Sequence, residues 1–313
     1  MPTVELHPEI EPLRDQVPIR DFAATPLEEI RATPLIAPVE LGDDVERADH
    51  EVDAETGVVV RVHRPRGVEG RLPCLYSIHG GGYVAGTYES DDVKFDRWCQ
   101  EFGIVGVSVE YRLAPETPYP GPLEDCYAGL RWTFEHAEEL GIDPRRVGIT
   151  GVSAGGGLCA ALALLVRDRG ELQVQFQLLD CPMIDDRQDT PSSRLDDLLI
   201  WSRQSNEFGW RSYLGELHGR DDLPPYAAAA RADDLGGLPE AYVCVGGADG
   251  FRDEDILYAM RLYDAGVQTE LHVYPGAPHG VAIFLGTSIA RRYNADQRDW
   301  LRRQFDRLAD VTA

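Results

Sequence analysis

The chain alternates short segments of consecutive apolar residues with longer segments in which apolar positions recur at helical spacing. Short runs rich in Val, Ile, Leu and Tyr are typical of strands that are buried on both faces of a sheet. Strands that alternate with helices predict a mainly parallel central sheet with helices on both faces, which is the α/β class. The predicted strands are 57–63, 72–79, 104–111, 147–150, 173–181, 240–246 and 269–274, and the predicted helices are 92–102, 123–140, 154–169, 253–265 and 288–309.

Two segments do not follow this alternation, an amino-terminal arm and an insert later in the chain. Residues 1–45 mix prolines, acidic residues and short apolar patches, with a weak helical period near 26–34. Residues 190–222 carry more large apolar side chains than a free surface loop should expose. We predict that the two segments fold together as a helical cap on a main domain built from residues 46–189 and 223–313.

The composition is that of an ordinary globular chain, apart from its strong negative charge. In 313 residues, 54 acidic side chains against 30 basic ones leave a formal charge of -24. This charge repels phosphate backbones and anionic lipid headgroups, so we expect no nucleic-acid partner and no membrane partner. The longest apolar run, residues 158–166, is about half as long as a membrane span.

Cysteine usage and the amino terminus bear on the compartment. The six cysteines are dispersed, show no C-x-x-C spacing and mostly lie inside apolar stretches, as expected of small core residues in a reducing environment. No basic segment followed by an apolar one opens the chain, so no signal peptide is visible. We therefore expect a cytoplasmic protein.

A glycine-rich segment, HGGGY at residues 79–83, follows the predicted strand 72–79. Consecutive glycines allow bare backbone N–H groups to point at one spot, where they can stabilise the negative oxygen of a tetrahedral acyl intermediate. A simple turn requires only one or two glycines. We predict an oxyanion-binding loop in which the N–H groups of Gly81, Gly82 and Ala154 are the donors.

A second motif, GVSAG at residues 151–155, lies between the predicted strand 147–150 and the predicted helix 154–169. A serine held in a strained conformation at the tip of such a turn needs glycines two residues away, so that strand and helix can approach closely. This strand-turn-helix context is that of a nucleophile elbow. Ser153 is therefore the candidate nucleophile.

A nucleophilic serine needs a base to take its proton and a third group to orient that base. His279 lies in a glycine- and proline-rich loop after the predicted strand 269–274, where such a base comes in chain order. Asp249, which closely follows the predicted strand 240–246, is the best candidate for the acid. Three aspartates after the preceding strand remain alternative acids: Asp180, Asp185 and Asp186.

Five motifs in this order resemble the hormone-sensitive-lipase-like family of α/β-hydrolases, in its bacterial carboxylesterase branch. They are HGGGY (79–83), YRLAPE (111–116), GVSAGGG (151–157), DGFRDE (249–254) and HG (279–280). The resemblance covers nearly everything from about residue 45 onward. It implies an α/β-hydrolase fold, a cap made by the arm and an insert, and the same nucleophile, base, acid and oxyanion donors as above. Val152 replaces the Asp or Thr that is usual before the nucleophile, and this leaves the subgroup open.

The predicted function is that of a serine carboxylesterase, which hydrolyses small short-chain carboxylic esters through an acyl-enzyme without a metal or an organic cofactor. The resemblance implies a short acyl chain, and a closed cap would bound the pocket. The side chains expected at the pocket or cap are Tyr83, Trp201, Phe208, Trp210 and Leu214.

Two other functions remain open on the same residues. The first is an amidase or deacetylase that uses the same nucleophile. The second is a non-catalytic small-molecule receptor, as the plant gibberellin receptors of this family are, but those receptors lack the catalytic histidine and this chain retains His279. The sequence also leaves open whether the chain forms a homo-oligomer.

Overall fold

The structure, a computed structural model, describes residues 5–17, 21–34 and 39–312. From residue 72 onward, strands and helices alternate along the chain. The strands are β1 (Val45–Asp53), β2 (Val58–Pro65), β3 (Leu72–Ile78), β4 (Val105–Glu110), β5 (Ile142–Val152), β6 (Phe176–Asp180), β7 (Glu240–Gly246) and β8 (Thr269–Tyr274). The helices are α1 (Leu27–Ala32), α2 (Asp92–Phe102), α3 (Gly121–Glu135), α4 (Ala154–Arg169), α5 (Arg203–Leu214), α6 (Arg252–Asp264) and α7 (Ser288–Thr312).

The described strands form one eight-stranded sheet in the order β1-β2-β4-β3-β5-β6-β7-β8. Strand β2 pairs antiparallel with both β1 and β4, and every other neighbouring pair is parallel. The prediction of a mainly parallel sheet is therefore confirmed. The carboxyl ends of β3, β5, β6, β7 and β8 meet at one edge, where the loops of an open parallel sheet commonly bind ligands.

Two hydrophobic cores lie on opposite faces of this sheet, because successive side chains of a strand point to opposite sides. On β6, Leu178 belongs to one core and Leu179 to the other. Buried side chains of α3, α4 and α6 join the core that contains Leu179, whereas those of α2 and α7 join the core that contains Leu178. Helices thus cover both faces, as predicted.

Helix α4 directly follows the candidate nucleophile and is deeply buried. Its residues from Ala154 to Val166 are buried on every side, which explains why the sequence there is apolar all round rather than amphipathic. The helix ends at Gly170, whose φ of 65° places it in the left-handed region that favours glycine. Because α4 is packed on all sides, the start of the helix is held at the carboxyl end of β5.

Several predicted boundaries differ from the observed ones; α3, for example, ends at Glu135 rather than at 140. Strand β5 begins five residues before the predicted 147, and the helical part of the insert is confined mainly to α5. Strand β1 is not among the predicted strands, because it is an edge strand with mostly exposed polar side chains and no apolar run. None of these differences moves the loops at the carboxyl edge of the sheet.

Part of the predicted cap lies outside the described residues, namely 1–4, 18–20 and 35–38 of the arm. The same holds for residue 313 of the second part of the main domain. Within the described ranges, the helices all fall short of the length and apolar content that crossing a membrane requires. All six cysteines are buried and free of disulfide bonds.

Candidate active site

Ser153 lies at the tip of a sharp turn between β5 and α4. Its φ of 57° and ψ of -120° are strained values for a residue with a side chain. A Cβ atom on Gly151 would lie 2.1 Å from the carbonyl oxygen of Gly155, and one on Gly155 would lie 2.1 Å from that of Ile78. Both glycines are therefore required for the close approach of strand, helix and β3. The N–H of Ser153 donates to the carbonyl oxygen of Asp180 at 2.8 Å, which fixes the turn against β6.

The structure brings Ser153, His279 and Asp249 together in one chain of hydrogen bonds. Nε2 of His279 lies 2.9 Å from Oγ of Ser153, and Nδ1 lies 2.7 Å from Oδ2 of Asp249. Because a carboxylate only accepts, Nδ1 carries the ring proton, and Nε2 is left to accept the serine proton. The other carboxylate oxygen of Asp249 accepts the N–H of Phe251 at 3.0 Å.

The electrostatic surroundings keep the imidazole of His279 basic despite its burial. Burial acts to lower its pKa, but the charge of Asp249, the hydrogen bond from Nδ1 to that carboxylate and the charge of Asp180 raise it. The net result is a pKa above the ordinary 6.5. The ring of Phe251 meets the imidazole edge-on at 5.1 Å, and this apolar contact excludes water from one side.

The glycine-rich loop after β3 lies beside Ser153. Gly81 and Gly82 have φ values of 125° and 61°, which favour glycine. The carbonyl oxygen of Gly81 accepts the N–H groups of Val84 and Ala85, so that the chain forms a tight turn. Ala154 is the first residue of α4, and its N–H therefore has no acceptor within the helix. The predicted oxyanion donors thus lie on this loop and at the start of α4.

His79 and residues of the YRLAPE motif support this loop. His79 is buried and stacks on Tyr111 at 4.2 Å, and burial lowers its pKa to about 4, so that the ring is neutral. Nδ1 of His79 lies 2.9 Å from the carbonyl oxygen of Gly80, and the hydroxyl of Tyr111 donates to that of His79. The N–H of Ala114 donates to the carbonyl oxygen of Tyr83. The YRLAPE motif therefore braces the loop from beneath.

The three alternative acids have other partners. Asp185 accepts three hydrogen bonds from Arg187, one of them from its backbone N–H, and Asp186 accepts two from Arg231. The carboxylate of Asp180 is held on α7 by the hydroxyl of Tyr293 and by the side-chain amide of Gln297. Of the four candidate acids, Asp249 is therefore the one that is hydrogen-bonded to His279.

Trp201 connects the predicted cap with the candidate active site. Its ring lies 6.4 Å from that of His279, and a Cβ atom on Gly82 would lie 2.2 Å from it. The ring of Phe22, from the arm, meets Trp201 edge-on at 4.9 Å. The N–H of Phe22 also donates to the hydroxyl of Ser205 at the start of α5. Arm and insert thus contact each other directly over the oxyanion loop.

The other side chains expected at the pocket are mainly packed in the core. Tyr83 stacks on Tyr213 at 4.1 Å, and its hydroxyl donates to the carbonyl oxygen of Met183 at 2.8 Å. Trp210 and Leu214 are buried in the same core, and Phe208 is partly buried against it. Trp201 is the member of this set with a ring contact to His279.

Two residues with notable positions were not singled out from the sequence. The guanidinium of Arg31 bonds to the carbonyl oxygens of Val84 and Ala114 and to the carboxylate of Glu116, which ties the arm to the oxyanion loop. Cys181 directly follows β6 and is buried. Burial, and then the charge of Asp180, raises the thiol pKa well above 9, so Cys181 is not a rival nucleophile. The sequence signal that could have drawn attention to Cys181 is its position at the end of the predicted strand 173–181.

Comparison with known proteins agrees with this geometry. A family model described as the alpha/beta hydrolase fold matches residues 75–283. The curated carboxylesterase NlhH of Mycobacterium tuberculosis is 36% identical over 90% of this chain and 92% of its own length. The ethyl acetate hydrolase of Pseudomonas putida is 31% identical over 70% of each chain. The solved structure of a bacterial heroin esterase has a TM-score of 0.91 and 40% identity, and the alignment covers 96% of this chain and 98% of that one.

Fold and comparisons together define an ester hydrolase of the α/β-hydrolase class. The chain belongs to the hormone-sensitive-lipase-like family of α/β-hydrolases, in the branch that contains the bacterial carboxylesterases. The predicted fold, family and enzyme class are thereby confirmed.

Proposed function

We propose that the chain hydrolyses short-chain carboxylic esters through an acyl-enzyme in which Ser153 carries the acyl group. The observation that supports this most directly is the continuous hydrogen-bond chain from Ser153 through His279 to Asp249, at a turn that only glycine neighbours permit. A hydroxyl with a base at 2.9 Å needs no rearrangement before it can lose its proton. The membership of esterases in the same family supports the ester bond as the target.

The acylation step follows from this arrangement. Oγ of Ser153 attacks the ester carbonyl carbon while Nε2 of His279 accepts the hydroxyl proton, and Asp249 stabilises the imidazolium that forms. The carbonyl oxygen becomes negative, and the N–H groups of Gly81, Gly82 and Ala154 are the proposed donors to it. The tetrahedral intermediate collapses, and His279 gives its proton to the departing alcohol. Water repeats the sequence on the acyl-enzyme and releases the acid.

The proposed preference for short acyl chains depends on Trp201. Its ring fills the space beside Gly82, and the ring of Phe22 packs edge-on against it. A long acyl chain extending in this direction would have to displace both rings, whereas an acetyl group would not. The similarity to an ethyl acetate hydrolase supports the same preference. Residues 1–45 and 190–222 would act together as the cap, with residues 46–189 and 223–313 as the catalytic domain.

We also propose a cytoplasmic location. The six free, buried cysteines support it, because disulfides form readily in the oxidising compartments outside the cytoplasm.

Self-association is proposed through α6, where Leu257, Met260 and Tyr263 are each about half exposed at helical spacing. Sedimentation velocity on wild type and on Leu257→Glu tests this second point. An unchanged monomer in both samples would contradict it.

The central experiment is labelling with a serine-directed phosphonate, followed by mass mapping of the modified peptide. We expect one modified site, Ser153, and no labelling of Ser153→Ala. Ser193→Ala is the matched control, because Ser193 is also buried but bonds to the carbonyl oxygen of Thr190 in the insert. Label on any other residue would contradict the proposal. A panel of aryl esters from acetyl to palmitoyl, with the matching anilides, then measures chain-length preference and separates esterase from amidase activity.

A further inference from the structure

Cys181 has its thiol close to the proposed base and acid. It is fully buried, and its φ of 38° is in the left-handed region that a residue with a side chain rarely adopts. Its N–H donates to the carbonyl oxygen of Cys244 on β7 at 2.7 Å, which holds the strained backbone in place. The backbone of Cys181 is therefore held by the sheet. The proposed reaction makes no use of this thiol.

Three side chains of different chemistry meet at this position. One ligand atom from each of Cys181, Asp249 and His279 lies within 4.8 Å of the other two, and all three residues are buried. A thiol, a carboxylate and an imidazole are the donors that zinc and cadmium prefer. Ligand atoms at about 2.0 to 2.3 Å from a tetrahedral zinc ion lie about 3.3 to 3.8 Å apart. Small shifts of these side chains would therefore bring them to coordination distance.

We propose that a zinc or cadmium ion binds Cys181, Asp249 and His279 and thereby inhibits the enzyme. The inhibition, though not the binding, rests on the proposed function. On coordination the thiol loses its proton to solvent, and a sulfur–metal bond takes its place. The thiolate and the carboxylate then supply two negative charges, which balance the divalent ion inside a buried site.

Inhibition follows whichever nitrogen of His279 binds the ion. If Nε2 is the ligand, its lone pair is occupied and cannot accept the proton of Ser153. If Nδ1 is the ligand, the single ring proton must move from Nδ1 to Nε2, and Nε2 becomes a donor. In both cases the hydroxyl 2.9 Å away loses its proton acceptor. The ring proton is conserved in the second case, so the thiol proton is the one released.

The donor set also predicts which ions act. The formal charge of -24 gives the surface of this chain a weak, nonspecific attraction for every divalent cation. Magnesium prefers oxygen ligands in octahedral geometry and has little affinity for a thiolate, whereas cadmium and zinc bind thiolates well. Inhibition by zinc and cadmium but not by magnesium would distinguish the buried site from general surface binding.

The test titrates zinc, cadmium or magnesium chloride into the purified full chain while hydrolysis of an aryl acetate is measured. We expect zinc and cadmium to lower the rate at least about tenfold at saturation, with recovery after a chelator is added and no loss with magnesium. Cys181→Ser should raise the half-inhibiting concentration at least about tenfold, and Cys181→Ala serves if the serine variant does not fold. Cys99→Ser, a buried cysteine on α2, should keep the wild-type value.

Cadmium binding is also measured without turnover, by the ultraviolet absorption of the cadmium–thiolate bond. We expect the band in Ser153→Ala, which retains all three ligands, and a clear loss of it in the Ser153→Ala, Cys181→Ser double variant. If the wild-type chain hydrolyses no ester but Ser153→Ala shows the band, the metal site is supported and only the proposed function is overturned. Equal half-inhibiting concentrations in wild type and the Cys181 variants, or equal bands in the single and double variants, would overturn the inference.

Discussion

The carboxyl edge of the sheet and the cap over it are held in place by different means. At the sheet edge, backbone geometry fixes the proposed chemistry: Ser153 lies on a turn whose glycines tolerate no Cβ atom, and its N–H is bound to β6. In the cap, aromatic side-chain contacts reach the site, chiefly Phe22 on Trp201 and Trp201 beside Gly82. Backbone constraint suits atoms that must align within tenths of an ångström, whereas side-chain packing suits a pocket wall that varies with substrate.

The largest expected effect tests the sheet edge alone. Ser153→Ala removes the proposed nucleophile but keeps the backbone, so we expect kcat to fall by about 10⁴ to 10⁶ while the melting temperature changes little. Ester hydrolysis by the variant and by Ser193→Ala is measured side by side. A loss of less than about tenfold in Ser153→Ala would mean that another residue attacks the ester.

Substitution of the proposed acid tests which strand end supplies the carboxylate that orients His279. Asp249→Asn should lower kcat by about 10⁴, because the amide leaves the imidazole in the wrong tautomer. Asp185→Asn is the control, since that carboxylate pairs with Arg187. If the control loses far more activity than Asp249→Asn, the acid has been assigned to the wrong strand end.

Gly82→Ala tests the point where the two regions touch. The added methyl group would lie 2.2 Å from the ring of Trp201, on a residue with a φ of 61°. We expect kcat to fall by about 10² to 10³, the effect of a misplaced oxyanion donor. Gly103→Ala has the same φ of 61° with open space around it, so it should cost stability but not kcat.

Adding Trp201→Ala to Gly82→Ala separates the clash from the backbone strain. If the clash with the cap causes the loss, the double variant should recover part of the activity of Gly82→Ala. No recovery would assign the whole loss to the loop itself and would show that the cap does not press on the oxyanion donors. Steady-state kinetics on one aryl acetate is sufficient for this comparison.

The same contrast explains what the sequence could predict. The glycines of the elbow and the oxyanion loop are visible because close backbone approach admits no other residue, and the apolar strands are visible because both faces of the sheet are buried. The contact of Phe22 with Trp201 joins residues far apart in the chain, and no local pattern marks it. Strand β1 escaped prediction for a related reason, since its edge position leaves it mostly polar.

The pH dependence of activity tests the charges behind His279. The base works in its neutral form, and Asp249 and Asp180 raise its pKa above 6.5, so kcat/KM should rise with pH through a midpoint above that value. Asp180→Asn removes one of the two charges and should lower the midpoint by a few tenths of a pH unit. Asp185→Asn should leave it in place. A midpoint that does not move in Asp180→Asn would remove Asp180 from the electrostatics of the base.

The smallest expected effect belongs to the arm, and it decides whether the arm forms part of the pocket or only stabilises the fold. Phe22→Ala removes the ring that packs on Trp201, which then has space to move when a longer acyl chain enters. We expect the ratio of kcat/KM for butyrate over acetate esters to change by about threefold to tenfold, the discrimination that one or two methylene contacts provide. Ile30→Ala, also buried on the arm, is the matched control for lost stability. If both variants lower the melting temperature and neither alters the ratio, the arm stabilises the fold without shaping the pocket, and Trp201 must be held by the insert alone.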